Sequence, residues 1–530
     1  MNLKEQILYY KPENHEEKIA KEEMIKALEL GNDSVFYREN KKVHFTTSGF
    51  VMNPDLDMVL MVYHNIYQSY SWTGGHADGE QDLMLKAIEE AKEETGIQEV
   101  YPYSTRVISL DILEVQPHEK NGQLVEGHKH FSVAYGLIAP MKQQLTVKED
   151  ENKDVKWIEI EDILEKCEEA HMVPIYLKLI KRMNEIRIEK KINYEKTPGI
   201  FLKWYEKNAR DLPWRKDQDP YHVWLSEIML QQTRVEAVRG YYKRFLKALP
   251  TIEALANVEI DKLLKLWEGL GYYNRAKNMQ KAAIVIMEKY NGEFPREYDE
   301  ILELPGIGEY TAGAVASICF HKPTPAVDGN VLRVISRITE DFQNISKPAM
   351  KKRIQKSLEE IYPKSASGSF TQSIMEIGAM VCIPNGEPKC LECPANPFCM
   401  AYHNQSTSLL PVKSKKKERK IEEKTVFVLC CGDKVAIRKR EKKGLLAGLW
   451  ELPNITKKTM EEAITYAADI GVKPVSIEKE IYKNHIFTHI EWRMTCYYLK
   501  CRVETEDFYW VTKEQLADEY ALPTAFRQFI

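Results

Sequence analysis

The sequence predicts a multidomain chain with three folded units in series: a mixed α/β unit, an all-α unit and a smaller α+β unit. Three observations lead there. The chain has 530 residues, and at roughly 100–200 residues per domain one undivided core is excluded. The hydrophobic period changes along the chain, from strand-like runs such as VHFTTSGFVM and DMVLMVYHN, to a 3.6-residue period over 198–400, and back to strand-like runs after 425. Charge divides too: residues 1–190 hold 23 Lys and Arg against 35 Asp and Glu, net −12, whereas residues 191–530 hold 52 against 44, net +8. An acidic front and a basic back rarely share one task, so at least two activities are expected.

Composition narrows the class further. With 44% hydrophobic and 29% charged residues, disordered and collagen-like classes drop out. No run of 18 apolar residues exists, so no membrane partner is expected. The start, MNLKEQILYYKPENHEEK, lacks the basic flank and apolar stretch of a secretory leader, and a cytoplasmic location is expected. In a reducing compartment the ten cysteines are poor candidates for a disulfide framework. Four of them fall within 382–399, which suggests a metal centre.

In order, strands are expected over 35–70, a helix at about 81–95, and strands around 106–115 and 131–138. A charged helical stretch at 160–192 should be interrupted by TPGI at 197–200. Helices of the middle unit are punctuated by Pro and Gly at 212–213, 250, 269–271, 292–295, 305–308 and 323–329. The run VKSKKKERKIEEK reads as a solvated linker, either a plain tether or a contact for nucleic-acid phosphate. Strands and a helix near 458–470 complete the last unit. The expected domains are 1–192, 195–410, a linker at 411–424, and 425–530. The two α/β units could be distant copies of one fold.

In GGHADGEQDLMLKAIEEAKEETGI, Glu90, Glu93 and Glu94 share one helical face. Packed carboxylates repel unless a divalent cation sits between them, and hard oxygen ligands suit Mg²⁺ (or Mn²⁺). The alternative is a solvated acidic face. With Gly75 before the helix and Gly96–Ile97 after it, the segment resembles the box of the Nudix hydrolases. Two positions depart from that box: Gln81 stands where its first Glu belongs, with Glu80 and Asp82 beside it, and Glu89 stands where its Arg belongs. The resemblance covers about 35–160. It implies a Nudix fold and Mg²⁺-dependent hydrolysis of a nucleoside-diphosphate derivative, a nucleotide-type small molecule. An inactive interaction module is the alternative for this domain.

In the middle unit, Cys382, Cys390, Cys393 and Cys399 are separated by seven, two and five residues, a set that suits an iron–sulfur cluster or zinc. In LPGIGEYTAGAV, Gly306 and Gly308 precede a helix, where backbone N–H groups could cradle a phosphate. Together with LPWR, DPYHVWLSEIMLQQTRV, LWEGLGYYNRAKN, DGNVLRV and MEIGAMVC, these segments resemble the helix-hairpin-helix DNA glycosylases, and more narrowly the adenine DNA glycosylases of the MutY type. About 330 residues carry that resemblance.

The resemblance implies roles. Glu227 matches the general acid that protonates the adenine ring, Asp328 the carboxylate that stabilises positive charge on the sugar, and Tyr310 a neighbour of that site. Bifunctional relatives carry Lys where Tyr310 stands, so a monofunctional enzyme leaving an abasic site is implied. Gln231, Gln232 and Tyr272 match residues that probe the duplex opposite the flipped base. Trp214, Arg215 and Glu376 match the neighbourhood of the adenine pocket, with simple core as the other reading for Trp214. The four cysteines match ligands of a 4Fe–4S cluster, with one residue more in the first gap.

The last unit, with GLLAGLWELPN and HIFTHIEW, resembles the Nudix-like C-terminal domain of the same glycosylases. It lacks the acidic helix, and Phe487, Thr488 and His489 match the loop that senses 8-oxoguanine. The implied partner is double-stranded DNA containing A opposite 8-oxoguanine or G. Rival readings are a glycosylase or lyase for oxidised pyrimidines and a lesion-binding scaffold.

Overall fold

In the computed structural model, all residues are described except 32, 116, 121–122 and 415–417, and the side chains of 118–125 are also left undescribed. The chain folds as two compact units, each assembled from separate segments. The first comprises Met1–Ala209, Val327–Pro363 and Gln372–Ser414; the second comprises Arg210–Ala326, Lys364–Thr371 and Lys415–Ile530. The helical region expected as one domain over 195–410 is therefore shared between two units. A sequential division cannot foresee this, because it follows from which helices share a core.

In the first unit, a mixed sheet has the strand order Ser69–Ser71, Met58–His64, Val43–Met52, His128–Ile138, Tyr101–Val115. The central pair, Val43–Met52 with His128–Ile138, is parallel, whereas Thr73–His76 adds antiparallel to Val43–Met52. One face is covered by the helices Leu3–Tyr9, His15–Glu29 and Leu83–Thr95 around Phe45, Leu60 and Val133. The other packs on Tyr176, Leu179, Met183 and Ile186 of the helix Val173–Asn208.

That helix runs unbroken for 36 residues with Pro198 inside it, so the expected interruption at 197–200 does not occur. Proline removes one backbone donor and crowds the preceding turn. Here the Thr197 hydroxyl donates to the Asn193 carbonyl at 3.0 Å, and Thr197 and Phe201 are fully buried. Packing overrides the local preference.

In the second unit the last 110 or so residues repeat the same design. Their strand order is Trp450–Glu451, Lys434–Lys439, Lys420–Cys431, Ile490–Cys501, Pro474–Ile486, with Asn454–Thr456 and Tyr509–Thr512 added at the corresponding places. The central pair is again parallel, and the helix Met460–Asp469 takes the place of Leu83–Thr95. The strand beginning at Lys420 already pairs with Ile490, so the expected linker at 411–424 gives way to sheet in its second half. No helix among the described residues is long and apolar enough to cross a membrane.

Candidate functional site

Glu227 sits on the helix Pro220–Leu230, whose first turn is capped by Asp219 accepting from the Tyr221 and His222 amides. All residues from Val223 to Met229 are buried, Glu227 among them. A carboxyl group in such surroundings needs a partner. The Tyr310 hydroxyl supplies one, donating to Glu227 Oε2 at 2.5 Å. Tyr310 is held by the hairpin that precedes it. The helix Tyr298–Leu302 ends, Gly306 turns with φ +79°, and Gly308 opens the helix Glu309–Phe320. A Cβ at Gly306 would lie 2.5 Å from Asn278 Cβ, so only glycine fits that turn.

The C-terminal end of the Glu227 helix is tied down by a residue that pattern reading missed. Arg275 donates to the carbonyls of Ile228 (2.6 Å), Met229 (3.2 Å) and Gln231 (2.7 Å) through Nη1, and to Leu270 and Gly271 through Nη2. These are the carbonyls that a helix end and a tight turn leave unpaired. Burial lowers the Arg275 pKa to about 10. Its only sequence signal was membership of LWEGLGYYNRAKN.

Gln231, Gln232, Tyr272 and Gly306 line one groove of about 1120 Å³ together with Phe487, Thr488 and His489. The residues expected to probe the opposite base and those expected to sense it thus face the same space. Gln232 and Tyr272 adopt left-handed backbone conformations, φ +58° and +48°, which non-glycine residues adopt when the surroundings demand it. The Tyr272 and Thr488 hydroxyls are 3.0 Å apart. Trp214 is not part of this groove: it is buried and packs edge-on against Tyr242, the core reading. Arg215 donates to the Arg210 carbonyl at 3.4 Å.

Two of the residues expected at the site belong to the first unit. Asp328 caps the helix Gly329–Ile338, accepting from the Asn330 and Val331 amides and from Asn330 Nδ2. Burial raises its pKa above the ordinary aspartate value, against those hydrogen bonds. Glu376, 1% exposed, lies in the helix Ser367–Met380.

Also in the first unit, Cys382, Cys390, Cys393 and Cys399 line a single cavity, with Arg337 beside them. Arg337 Nη1 donates to Cys382 Sγ at 3.3 Å, and Arg333 Nε donates to the Cys382 carbonyl at 2.7 Å. Burial pushes the Cys393 and Cys399 thiols up to about 12. Thiolates in that cavity therefore need cationic charge, as a metal centre provides. Within the first gap the backbone bends at Gly386, φ +78°, where nothing lies within 4 Å of a Cβ.

At the acidic helix Leu83–Thr95, Glu90 and Glu94 are buried whereas Glu93 is exposed. Gly74 donates its amide to Glu94 Oε1 at 2.8 Å, and a Cβ at Gly75 would lie 2.5 Å from Glu90 Oε1. Gly74 and Gly75 lie in the strand Thr73–His76, and the backbone turns at Asp78–Gly79. Glycine is needed there for close approach to the carboxylates. Asp82 caps the helix and Glu80 accepts from the Asp82 amide, so both carboxylates are engaged locally. Glu89 is exposed, and the cation on Glu90 is Lys86, at 2.8 Å one turn earlier. Burial raises the Glu94 pKa to about 8.

A family model described as HhH-GPD superfamily base excision DNA repair protein matches residues 225–364. The adenine DNA glycosylase of Buchnera aphidicola subsp. Acyrthosiphon pisum is 37% identical over 55% of this chain and 82% of its own length. The chain belongs to the adenine DNA glycosylase family. The family's proteins from Rattus norvegicus and Homo sapiens are each 30% identical to it, covering 57% and 62% of the chain and 70% and 73% of their own lengths. A NUDIX domain model matches residues 425–530. The NUDIX domain recognised in this adenine DNA glycosylase relative is therefore the C-terminal one, not the N-terminal one to which the sequence reading gave the full Nudix assignment. The acidic helix is local to residues 83–95 of the N-terminal sheet and does not recur at Met460–Asp469.

Proposed function

We propose that this chain is a monofunctional glycosylase that removes adenine opposite 8-oxoguanine or guanine in double-stranded DNA. The observation that carries the reading is the buried Glu227 hydrogen bonded by Tyr310, with tyrosine where a lyase would hold an amine. Glu227, protonated, donates its proton to the adenine ring, which lets the base leave with the bonding electrons of the N-glycosidic bond. The Asp328 carboxylate offsets the positive charge left on the sugar. Water then adds, and with no amine nucleophile the strand stays intact. Extruding the adenine requires filling and probing the duplex, to which Gln231, Gln232 and Tyr272 are suited. Phe487, Thr488 and His489, lining the same groove, suit contact with the opposite base.

The four cysteines fit a 4Fe–4S cluster. They line one cavity together with Arg337, and four thiolates are the ligand set such a cluster takes. A bound cluster would staple the segments around 382–399; no step of base removal is assigned to it.

For the N-terminal domain we propose a Nudix hydrolase, supported by its strand order, which is that of the C-terminal NUDIX unit. Glu90 and Glu94 beside Gly74–Gly75 would hold Mg²⁺ or Mn²⁺, which would supply charge neutralisation for a diphosphate, and Lys86 orients Glu90. Phosphate or pyrophosphate release from a panel of nucleoside-diphosphate derivatives, 8-oxo-dGTP included, tests it. No turnover by the wild type would leave an interaction module, and turnover unchanged in Glu94→Gln would place the hydrolysis away from this acidic helix.

The glycosylase reading is tested by single-turnover adenine release from a duplex with A opposite 8-oxoguanine. Wild type should release adenine, break strands only after alkali, and lose both in Glu227→Gln. Strand cleavage without alkali would point to a lyase, and tight binding without release to a lesion-binding scaffold.

A further inference from the structure

Four histidines outside the proposed activities converge on the N-terminal sheet. His44 stands opposite His130 in the parallel pair, and Thr46 opposite His76 in the antiparallel one. His128 lies two residues before His130. Strand alternation therefore puts all four side chains on one face. Thr47 and Gly75 point the other way, toward Leu83 and Glu90 of the acidic helix. The histidines are thus set apart from the carboxylates by the sheet itself.

Their rings form a tight group. His44 lies 5.1 Å from His76, 4.8 Å from His130 and 5.0 Å from His128 between ring centroids, and His76 lies 5.2 Å from His130. One ring nitrogen from each of His44, His76 and His130 falls within 4.8 Å of the others. His128 Nε2 is 3.0 Å from His130 Nε2. Within this group His44 is 2% exposed, and its Nδ1 lies 3.0 Å from the Asn40 carbonyl. That contact places the proton on Nδ1 and leaves a lone pair on Nε2. His44 Nε2 is buried and has no hydrogen-bond partner among the described residues.

An imidazole oriented through Nδ1 by a backbone carbonyl, with a buried bare Nε2, is arranged as metal-binding histidines are. Three imidazoles select borderline first-row cations over Mg²⁺ and Ca²⁺, which prefer oxygen. Around a tetrahedral ion with bonds of about 2.0–2.1 Å the nitrogens would stand roughly 3.3 Å apart, so small rotations of the three rings close the site. We propose that His44, His76 and His130 form a binding site for a divalent first-row transition-metal ion of the zinc class, with His128 as the neighbour of His130. The ion would tie together three strands, Val43–Met52, Thr73–His76 and His128–Ile138, at the ends that carry these residues.

The test uses the full chain, free of any affinity tag, with its cysteine centre intact and loosely bound metal removed. Titration with Co²⁺ should show one equivalent with the d–d absorption of imidazole ligation and no thiolate charge-transfer bands, together with a rise in melting temperature. His76→Gln and His130→Gln should each weaken binding at least tenfold and abolish the melting shift, with iron content unchanged. Equal stoichiometry and equal shift in wild type and both variants would overturn the proposal. Pulsed EPR of Cu²⁺ bound to the wild type counts coordinated imidazoles without any variant. Three are expected, and fewer than three, or no binding, would equally overturn it.

Discussion

The Tyr310 hydroxyl donates to Glu227 Oε2 at 2.5 Å across 83 residues of sequence. It joins the helix after the glycine hairpin to the helix that carries the proposed acid. Leaving a buried polar group without its hydrogen-bond partner costs about 1–3 kcal/mol. Tyr310→Phe should therefore slow single-turnover adenine release about 10- to 100-fold, with duplex affinity within about twofold of wild type. An unchanged rate would show that Glu227 does not depend on this contact.

Arg275 holds the end of the Glu227 helix and the Tyr272 turn through five carbonyls. Arg275→Met leaves those acceptors unpaired and should lower unfolding stability by about 2–4 kcal/mol while reducing adenine release. Arg275→Lys should recover little of either, because one ammonium cannot span two segments as a guanidinium does. Chemical denaturation alongside single-turnover kinetics checks both statements.

The Tyr272–Thr488 hydroxyl pair spans the groove at 3.0 Å. Thr488→Val keeps the shape and removes the hydrogen bond, so preference for 8-oxoguanine over guanine opposite adenine should fall about 2- to 10-fold. Paired rate measurements on the two duplexes would show it; equal loss on both would instead mean a general effect on the groove.

Glu340 is fully buried and accepts from Ser104 Oγ (2.5 Å), Thr105 Oγ1 (2.8 Å), Asn404 Nδ2 (2.6 Å) and Ser406 Oγ (2.7 Å). The N-terminal sheet is thereby joined to the segment after the cysteines inside one unit. Glu340→Ala orphans four donors at once and should lower stability by roughly 3–5 kcal/mol, read as a lower melting temperature by calorimetry. A shift of less than a degree would mean that this joint is dispensable.

Asp328 titrates above the ordinary aspartate value because it is buried. Its proposed role needs the carboxylate, so the adenine-release rate should fall as pH drops through that raised value, above pH 3.8. The folded state also binds the proton more tightly than the unfolded chain does, so stability falls as pH rises through the same window. Asp328→Asn should be inactive, yet more stable than wild type at pH 7, with the difference vanishing below about pH 3.8, where both states are protonated.

Local chemistry was legible wherever one segment contains its own reason. The Glu90–Glu94 helix and its Gly96 cap, φ +75°, the glycine hairpin before Tyr310, and the four cysteines each follow from spacing within a few residues. Trp214 was ambiguous because an aromatic side chain serves a core and a base pocket equally well; its contact with Tyr242 places it in the core. Lys86 was overlooked because the box has its cation at 89, although the next turn of helix reaches Glu90 equally well.

By itself the sequence determined which stretches are helical and which form sheet, the family resemblance and the chemistry-bearing motifs, since these depend on periodicity and on side chains near one another along the chain. Only the tertiary structure decided that the helix passes through Pro198, that Arg275 caps the Glu227 helix, that Glu340 binds the N-terminal sheet, and that four histidines meet on one face. Each of these depends on strand register or packing between residues far apart in the chain. There, burial of apolar surface and satisfaction of buried polar groups outweigh local preference.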